Sequence, residues 1–191
     1  LGASTAALLA APLIVPSHVL GATAPSNRIR VGHIGCGRIF RAHDLPGVLK
    51  SGLADVLAVC DVDSQRLGEA RSLVEKSYRD AKSPAPKIDT YGDYRELLRR
   101  SDIDAVVIST PDHQHAQLPV AAVLGGKDVY LQNPYTMTHA EGVLLRDAVA
   151  RAGRIFQVGS QQRSWEQFRQ ASELVRSGRV GKMKRVEMGL P

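Results

Sequence analysis

The sequence predicts an α/β fold, a doubly wound parallel sheet followed by the start of a truncated second α+β domain. Three observations lead to this prediction. From residue 28 onward, short apolar runs alternate with stretches of helical periodicity, which is the pattern of βαβ units. The run over residues 56–60 is apolar without interruption, as in a strand that is covered on both faces. A glycine-rich turn joins the first strand to the first helix.

The strands are placed by their apolar runs. They are residues 28–34, 56–60, 105–109, 129–131 and 155–158. The last three of these ranges are the predicted fourth, fifth and sixth strands, and the position of the third strand is not predicted. Six parallel strands with helices between them make a complete doubly wound sheet.

The helices between the strands are predicted from caps and periodicity. The first follows the glycine turn over residues 38–49, and a later one starts near Pro119 and ends at Gly125. The other helices begin at the following caps and capping boxes: Asp63, Asp93 with Glu96, and Thr138 with Glu141. The last of these helices is predicted to close at Gly153.

The last part of the chain is predicted to open a second domain. Ser164 with Gln167 begins one more helix, Gly178 follows its end, and residues 184–188 are a further strand. The apolar positions assigned to the inner face of that helix are Phe168, Ala171, Leu174 and Val175. The predicted organisation is a leader (1–24), a dinucleotide-binding domain (25–163), and a linking helix with the first strand of a truncated C-terminal domain (164–191).

An apolar run near the N-terminus, residues 6–15, has about the length of the hydrophobic region of a signal peptide. Residues 22–24 fit the small-x-small pattern of a cleavage site. The run is too short and too interrupted by proline to span a bilayer. These features predict a periplasmic or secreted protein, with a buried or disordered N-terminal arm as the alternative.

Charge and cysteine content argue against several classes of protein. The net charge of +6 comes entirely from residues 151–191, which hold nine basic and three acidic side chains without a basic run. We therefore do not expect nucleic-acid binding. We expect no membrane insertion either, because no segment after the apolar run could span a bilayer. Cys36 and Cys60 end neighbouring predicted strands. A disulfide there would distort the glycine turn, so two small buried thiols are the preferred interpretation.

The glycine turn lies in the sequence VGHIGCGRIF. Gly35 permits the tight turn from strand to helix, and Gly37 lets the backbone approach a pyrophosphate at the helix N-terminus. The third position of this fingerprint is normally Gly or Ala, but here it is Phe40. Taken alone, the motif is therefore a weak signal, and a simple turn is the alternative.

Asp61 strengthens the signal, because it lies at the end of the next strand, where a carboxylate can accept both ribose hydroxyls of an adenosine. The alternative role for Asp61 is a helix cap, but Asp63 already takes that role. A carboxylate at this position repels a 2′-phosphate, which favours NAD. Arg38 and Arg66 could counter this repulsion, so NADP is the alternative cofactor.

The segment STPDHQH follows the fourth strand, beside the point where the strand order of a doubly wound sheet reverses. We expect the nicotinamide half of a dinucleotide there. Of its two histidines, His115 is preferred over His113 as a hydrogen-bonding site residue. No third ligand stands at a zinc-site spacing, so no metal is predicted.

The motifs VGHIGCGRI, CDVD, STPDHQHA, GGKDVYLQNP and VGSQQR, in this order and spacing, resemble the Gfo/Idh/MocA oxidoreductase family over residues 28–188. The resemblance implies an N-terminal Rossmann domain that binds NAD or NADP, and a C-terminal domain that covers a sugar or polyol substrate and often mediates homo-oligomerisation. It also implies that this C-terminal domain supplies a His and an Asp as acid/base residues. Secreted members of the family, such as glucose–fructose oxidoreductase, fit the leader.

The chain departs from the family at one position that matters for catalysis. The family pattern Glu-Lys-Pro is here Gln132-Asn133-Pro134. A Lys ammonium can donate a hydrogen bond, carry charge and exchange a proton, whereas an amide only donates and accepts hydrogen bonds. Asn133 therefore stands at the catalytic position of the family without the chemistry of the Lys.

The site residues predicted from the sequence form two sets. The predicted cofactor-binding residues are Gly35, Cys36, Gly37, Arg38, Ile39, Asp61, Arg66, Ser109, Thr110, Pro111, His115, Gln132 and Asn133. Gln161 and Arg163, which follow the last strand, are candidates for binding a sugar, with ordinary surface polarity as the alternative.

Three functions remain open at this stage. The first is an NAD(P)-dependent oxidoreductase that transfers hydride to or from a sugar or polyol carbon. The second is an NAD-dependent glycoside hydrolase that oxidises and re-reduces its substrate. The third, suggested by Asn133, is a catalytically impaired protein that binds NAD or sugar. The 191 residues alone are expected to bind NAD and to turn over nothing.

Overall fold

The computed structural model describes residues 27–187 and residue 189. The predicted leader lies outside the described residues. The strands are β1 (Ile29–Ile34), β2 (Ala54–Cys60), β3 (Asp89–Tyr91), β4 (Ala105–Ile108), β5 (Asp128–Leu131) and β6 (Phe156–Val158). They form one sheet in the order β3-β2-β1-β4-β5-β6, which confirms the predicted doubly wound sheet.

The described residues divide into two compact units, with the boundary between residues 105 and 106. The helices of the first unit are α1 (Leu45–Ser51), α2 (Ser64–Asp80) and α3 (Tyr94–Leu98). In this unit β1 pairs in parallel with β2, and β2 with β3. The apolar faces of α1 and α2 meet β2 in a buried core that includes Leu45, Val56, Val59, Val74 and Tyr78.

The helices of the second unit are α4 (Gln117–Leu124), α5 (His139–Ala152), α6 (Gln161–Ser164) and α7 (Glu166–Arg176). In this unit β5 pairs in parallel with β6. Parallel pairing brings the carboxyl ends of these two strands to the same edge of the sheet, where the polar segments that follow each strand lie.

The helix caps confirm much of the local prediction. The Asp63 side chain accepts hydrogen bonds from the backbone N–H groups of Gln65 and Arg66, so Asp63 is the N-cap of α2. Thr138 and Glu141 form a reciprocal capping box at the start of α5.

One strand was counted but not located from the sequence. β3 has only three residues, Asp89–Tyr91, and none of them is fully buried. A short, half-exposed edge strand carries almost no apolar periodicity. β3 is therefore recognised by its hydrogen bonds to β2 and not by its composition.

The structure explains Phe40 in the glycine motif. The helix that follows the turn winds as a π-helix over Phe40–Asp44 before α1 begins. The Phe40 side chain is fully buried, and its ring meets the His33 ring of β1 edge-on at 4.9 Å between centroids. A third glycine normally allows a helix to pack closely on the strand, whereas here an aromatic side chain fills that space.

Three predictions for the last part of the chain are wrong. The last helix begins at Glu166, with Trp165 at the N-cap position, and Ser164 instead ends the short α6. The side chains of Phe168, Ala171, Leu174 and Val175 are exposed rather than packed inward. Residues 184–187 lie in no strand, and Met188 lies outside the described residues. The last two errors have the same physical reason: an apolar helix face or a strand needs a neighbouring element to pack against, and no described residue of α7 is buried.

Within the described residues, no helix combines the length and the apolar character needed to cross a bilayer.

Candidate functional site

The glycine turn at the end of β1 has the backbone geometry that a phosphate-binding turn requires. Gly35 has a φ of 90°, a conformation that residues with a side chain rarely adopt. Its N–H donates to the Cys60 carbonyl at 2.8 Å, which ties the turn to the end of β2. The first N–H groups of the helix that follows have no intrahelical acceptors, so they can face an anion.

Asp61 is joined directly to this turn. Its Oδ2 accepts a hydrogen bond from the Cys36 N–H at 2.7 Å, and its Oδ1 accepts one from the Asp63 N–H at 2.9 Å. A carboxylate oxygen can accept two hydrogen bonds, so each oxygen retains capacity for a ribose hydroxyl. Asp61 therefore both orders the turn and presents a negative charge beside it.

An open pocket beside the turn is basic. Its lining residues are Gly37, Arg38, Arg41, Ala42 and Arg66. Two of its three guanidinium groups already have acidic partners. Arg41 pairs with Glu69 at 2.7 Å, and Arg66 lies 3.5 Å from Asp63. Most of the positive charge is thus balanced within the protein, which leaves the exposed Arg38 as the least neutralised group.

The two cysteines are free and buried, which confirms the preferred interpretation. Burial raises the pKa of both thiols to about 12, and the charge of Asp61 acts in the same direction. Both thiols are therefore protonated at neutral pH and serve as packing groups.

In the second unit, His115 connects two of the predicted loops. The imidazole is 1% exposed. Its Nε2 lies 2.8 Å from the Thr110 carbonyl, and its Nδ1 faces the Pro134 carbonyl. His115 is thus the buried histidine of this loop, and because its ring nitrogens face backbone carbonyls, it positions the loops.

Replacement of His115 by alanine is expected to lower the free energy of unfolding by about 2–4 kcal/mol, because a backbone carbonyl loses its hydrogen-bond donor and a cavity forms. Chemical denaturation would measure this change. His113→Ala is the matched control: His113 is exposed, so a change within about 0.5 kcal/mol is expected. Equal effects of the two substitutions would show that the imidazole of His115 does not hold the loops.

Three side-chain amides cluster after β5 and β6. The Gln161 Nε2 donates to the Gln132 Oε1 at 2.7 Å. The Asn133 Nδ2 donates to the Gly159 carbonyl at 3.1 Å and lies 3.5 Å from the Gln161 Oε1. We call Gln132, Asn133 and Gln161 the amide cluster. It contains hydrogen-bond donors and acceptors but no ionisable group.

Sequence reasoning missed Gly159 as part of this site. A Cβ at this position would lie 2.8 Å from the Tyr130 hydroxyl and 3.0 Å from the Gln132 Oε1, so only glycine fits without displacing the amide cluster. The signal was present in the motif VGSQQR, where a glycine directly follows a strand.

Two further observations concern the predicted site residues of the second unit. The Thr110 hydroxyl is buried and has no hydrogen-bond partner among the described residues. Arg163 is exposed on α6 and forms no ion pair within the described part of the chain. No group of three His, Cys, Asp or Glu side chains suited to a metal ion occurs between residues 27 and 187.

Comparison with known proteins agrees with this geometry. The model of the Gfo/Idh/MocA family, described as an oxidoreductase family with an NAD-binding Rossmann fold, matches residues 29–160. An inositol 2-dehydrogenase of Burkholderia cenocepacia is 31% identical over 155 residues, which are 80% of this chain and 43% of that protein. A glycosyl hydrolase family 109 protein of Shewanella pealeana is 32% identical over 141 residues, covering 73% of this chain and 30% of that protein.

The fold matches solved structures as well. The crystal structure of scyllo-inositol dehydrogenase from Lactobacillus casei, with bound NAD(H) and scyllo-inositol, superposes with a TM-score of 0.68 at 24% identity. The match covers 81% of this chain and 42% of that one, so the chain spans less than half the length of these relatives. The glycine turn with Asp61, the strand order and the match over residues 29–160 together lead to one conclusion. The chain belongs to the Gfo/Idh/MocA family of oxidoreductases and carries its NAD-binding Rossmann fold.

Proposed function

We propose that the protein is an NAD-dependent oxidoreductase that transfers hydride to or from a carbinol carbon of a sugar or polyol. The observation that carries the cofactor half of this proposal is the hydrogen bond between the Cys36 N–H and Asp61. It joins an anion-binding turn to a carboxylate that suits a ribose, which is the combination that an adenosine diphosphate requires.

The substrate half of the proposal rests on the relatives and on the amide cluster. The Burkholderia relative is named for inositol, a polyol. A cluster of neutral amides suits a ligand with many hydroxyl groups, because each amide offers both a donor and an acceptor.

NAD supplies the hydride acceptor when it is bound, and the amide cluster supplies binding groups rather than a proton acceptor. Asn133 cannot exchange a proton at neutral pH, and loss of a positioned acid/base group typically costs about 10² to 10⁴ in rate. We propose that the acid/base groups come from a C-terminal domain that the 191 residues do not contain, so these residues alone bind NAD without turnover.

NAD is the preferred cofactor in this proposal and NADP the alternative. A 2′-phosphate beside Asp61 would meet a carboxylate, while Arg41 and Arg66 are already paired with acidic groups. Unfavourable charge therefore outweighs the contribution of Arg38.

The binding half is tested with the 191-residue chain. Thermal unfolding is followed while NAD is added up to millimolar concentrations. A ligand at ten times its dissociation constant stabilises the folded state by about 1.4 kcal/mol, so a rise of several degrees is expected. An unchanged melting temperature at millimolar NAD would contradict the proposed cofactor site.

The catalytic half is tested with the full-length protein and a panel of polyols and sugars, with NADH fluorescence as the measurement. The name of the Shewanella relative favours a second candidate, a glycoside hydrolase that oxidises and re-reduces its substrate. Aryl glycosides distinguish the two candidates. Phenol release without accumulation of NADH supports the hydrolase, and NADH formation from a free polyol supports the dehydrogenase. If neither occurs, the protein is a binding protein.

We further propose that the protein is exported to the periplasm or secreted, and that the full-length protein is a homo-oligomer. The apolar run at residues 6–15 supports export, and the family resemblance supports self-association. Fractionation of cells that express the full-length protein, followed by light scattering of the purified product, tests both points.

A further inference from the structure

The amide of Asn133 is held in one orientation. A side-chain amide can present either its NH₂ or its oxygen to a neighbour, and the neighbours decide which one. Here the two neighbours are the Gly159 carbonyl at 3.1 Å and the Gln161 Oε1 at 3.5 Å, and both are acceptors. Rotation of the amide by 180° would place oxygen against oxygen, so the NH₂ must face them.

The orientation of Gln161 is set in turn by Gln132. The Gln161 Nε2 donates to the Gln132 Oε1 at 2.7 Å, so its own oxygen is the atom that remains for Asn133. The Gln132 side chain is 5% exposed and lies against Gly159, where even a methyl group would displace it. The buried Gln132 therefore holds Gln161 in place, while the Gly159 carbonyl, which can only accept, sets the direction of the hydrogen bonds in the amide cluster.

The Asn133 Oδ1 is left as an exposed acceptor. Asn133 is exposed, and among the described residues no group donates to this oxygen. A lysine at the same position could only donate a hydrogen bond, because an ammonium has no lone pair. Asn133 thus offers a ligand a hydrogen-bond acceptor where a lysine would offer a donor.

We propose that the amide cluster makes position 133 a hydrogen-bond acceptor that selects the alcohol form of the substrate over its ketone. Gln161 is the positioning residue that keeps the Asn133 oxygen outward. This inference rests on the proposed function, because it takes a polyol as the ligand. A hydroxyl can donate to the Asn133 oxygen, whereas a ketone oxygen facing the same atom would be repelled.

The test measures binding of myo-inositol and of its 2-keto derivative to the full-length protein by calorimetry. Each ligand is combined with the cofactor form with which it cannot react, NADH for the alcohol and NAD for the ketone. Asn133→Ala is expected to weaken binding of the alcohol about five- to tenfold and to leave binding of the ketone unchanged or slightly tighter. A larger loss for the ketone would show that residue 133 acts as a donor, which overturns the proposal.

The positioning role of Gln161 has its own readout, which does not depend on a ligand. In the 191-residue chain, the side-chain NH₂ protons of Asn133 are followed by NMR. Gln161→Ala is expected to increase the exchange of these protons with solvent several-fold. In the full-length protein, the same substitution is expected to weaken binding of the alcohol but not of NAD. Gln162→Ala, an exposed neighbour outside the amide cluster, is the matched control and should change neither.

The two proposals fail in different ways. If neither inositol nor its ketone binds the unaltered protein, the polyol substrate is wrong, and the NMR measurement still decides the orientation of the amide. If the alcohol binds but Gln161→Ala changes neither its affinity nor the exchange of the Asn133 NH₂, the positioning role is wrong while the substrate class stands.

Discussion

Asp61→Ala is expected to weaken NAD binding by about 10- to 100-fold. In the proposed cofactor site this carboxylate accepts ribose hydroxyls, and a hydrogen bond to a charged group contributes about 1.5–3 kcal/mol. Calorimetric titration of NAD into the 191-residue chain measures the change. We also expect selectivity for NAD over NADP to fall, because the charge that repels a 2′-phosphate is removed while Arg38 remains.

The same substitution affects the fold of the turn, so a control must separate the two effects. Asp61→Ala leaves the Cys36 N–H without its acceptor, which should lower the free energy of unfolding by about 1–3 kcal/mol. Asp63→Ala removes the cap of α2 and should cost about 1 kcal/mol in stability without a comparable loss of NAD affinity. If both variants lose NAD affinity equally, the loss reflects stability, and Asp61 has no direct role in the cofactor site.

The free energy of unfolding is expected to fall by about 2 kcal/mol between pH 7.5 and pH 5 because of His33. Burial lowers the pKa of His33 to about 3 in the folded state, from an ordinary value of 6.5. Neither ring nitrogen has a partner among the described residues, and the ring packs against Phe40. Protonation in the folded state would place an unpaired charge in the core of the first unit.

The direction of this effect follows from proton binding. Between pH 6.5 and pH 3, the unfolded chain binds a proton at His33 that the folded chain excludes, so stability decreases as the pH falls through this window. The pKa values of Asp89, Asp93 and Asp102 are lowered by their basic partners or by backbone N–H groups. The stability that these carboxylates contribute is therefore lost only at lower pH. Above pH 5, His33 is therefore the largest identified contribution to the pH dependence of the free energy of unfolding.

Denaturant unfolding at a series of pH values, with the unaltered chain and His33→Leu, measures this contribution. The variant should lose most of the pH dependence above pH 5, whereas His139→Asn, at an exposed histidine, should retain it. If the free energy of unfolding changes with pH by the same amount in all three proteins, His33 is accessible to protons in the folded state.

Local chemistry made several parts of the fold predictable. The turn at Gly35 needs a positive φ, and the caps at Asp63 and Thr138 satisfy backbone N–H groups a few residues away. These interactions span only a few positions in the chain, so composition and spacing reveal them directly. The position of β3 and the packing of α7 were not predicted correctly, because both depend on residues that are distant in the sequence. A short edge strand needs a partner strand, and an apolar helix face needs a surface to pack against.

The same distinction applies to the site. The sequence placed Asp61 beside the glycine turn, because both lie at the ends of predicted neighbouring strands. It also identified Asn133 as a departure from the family. It did not indicate that Asp61 accepts the Cys36 N–H, or that Gly159 and Gln161 orient the Asn133 amide.

By itself, the sequence determined the doubly wound sheet and the dinucleotide cofactor, because strand periodicity, the glycine turn and the acidic residue after the next strand are local properties of the chain. The family followed from the resemblance of its ordered motifs. Only the tertiary structure decided the roles of individual polar groups. His33 and His115 are both buried histidines, yet His33 has no hydrogen-bond partner within residues 27–187, whereas His115 lies between the carbonyls of two loops. The hydrogen-bonding role of an imidazole or an amide is set by which atoms face it, and residues from separate segments of the chain supply those atoms.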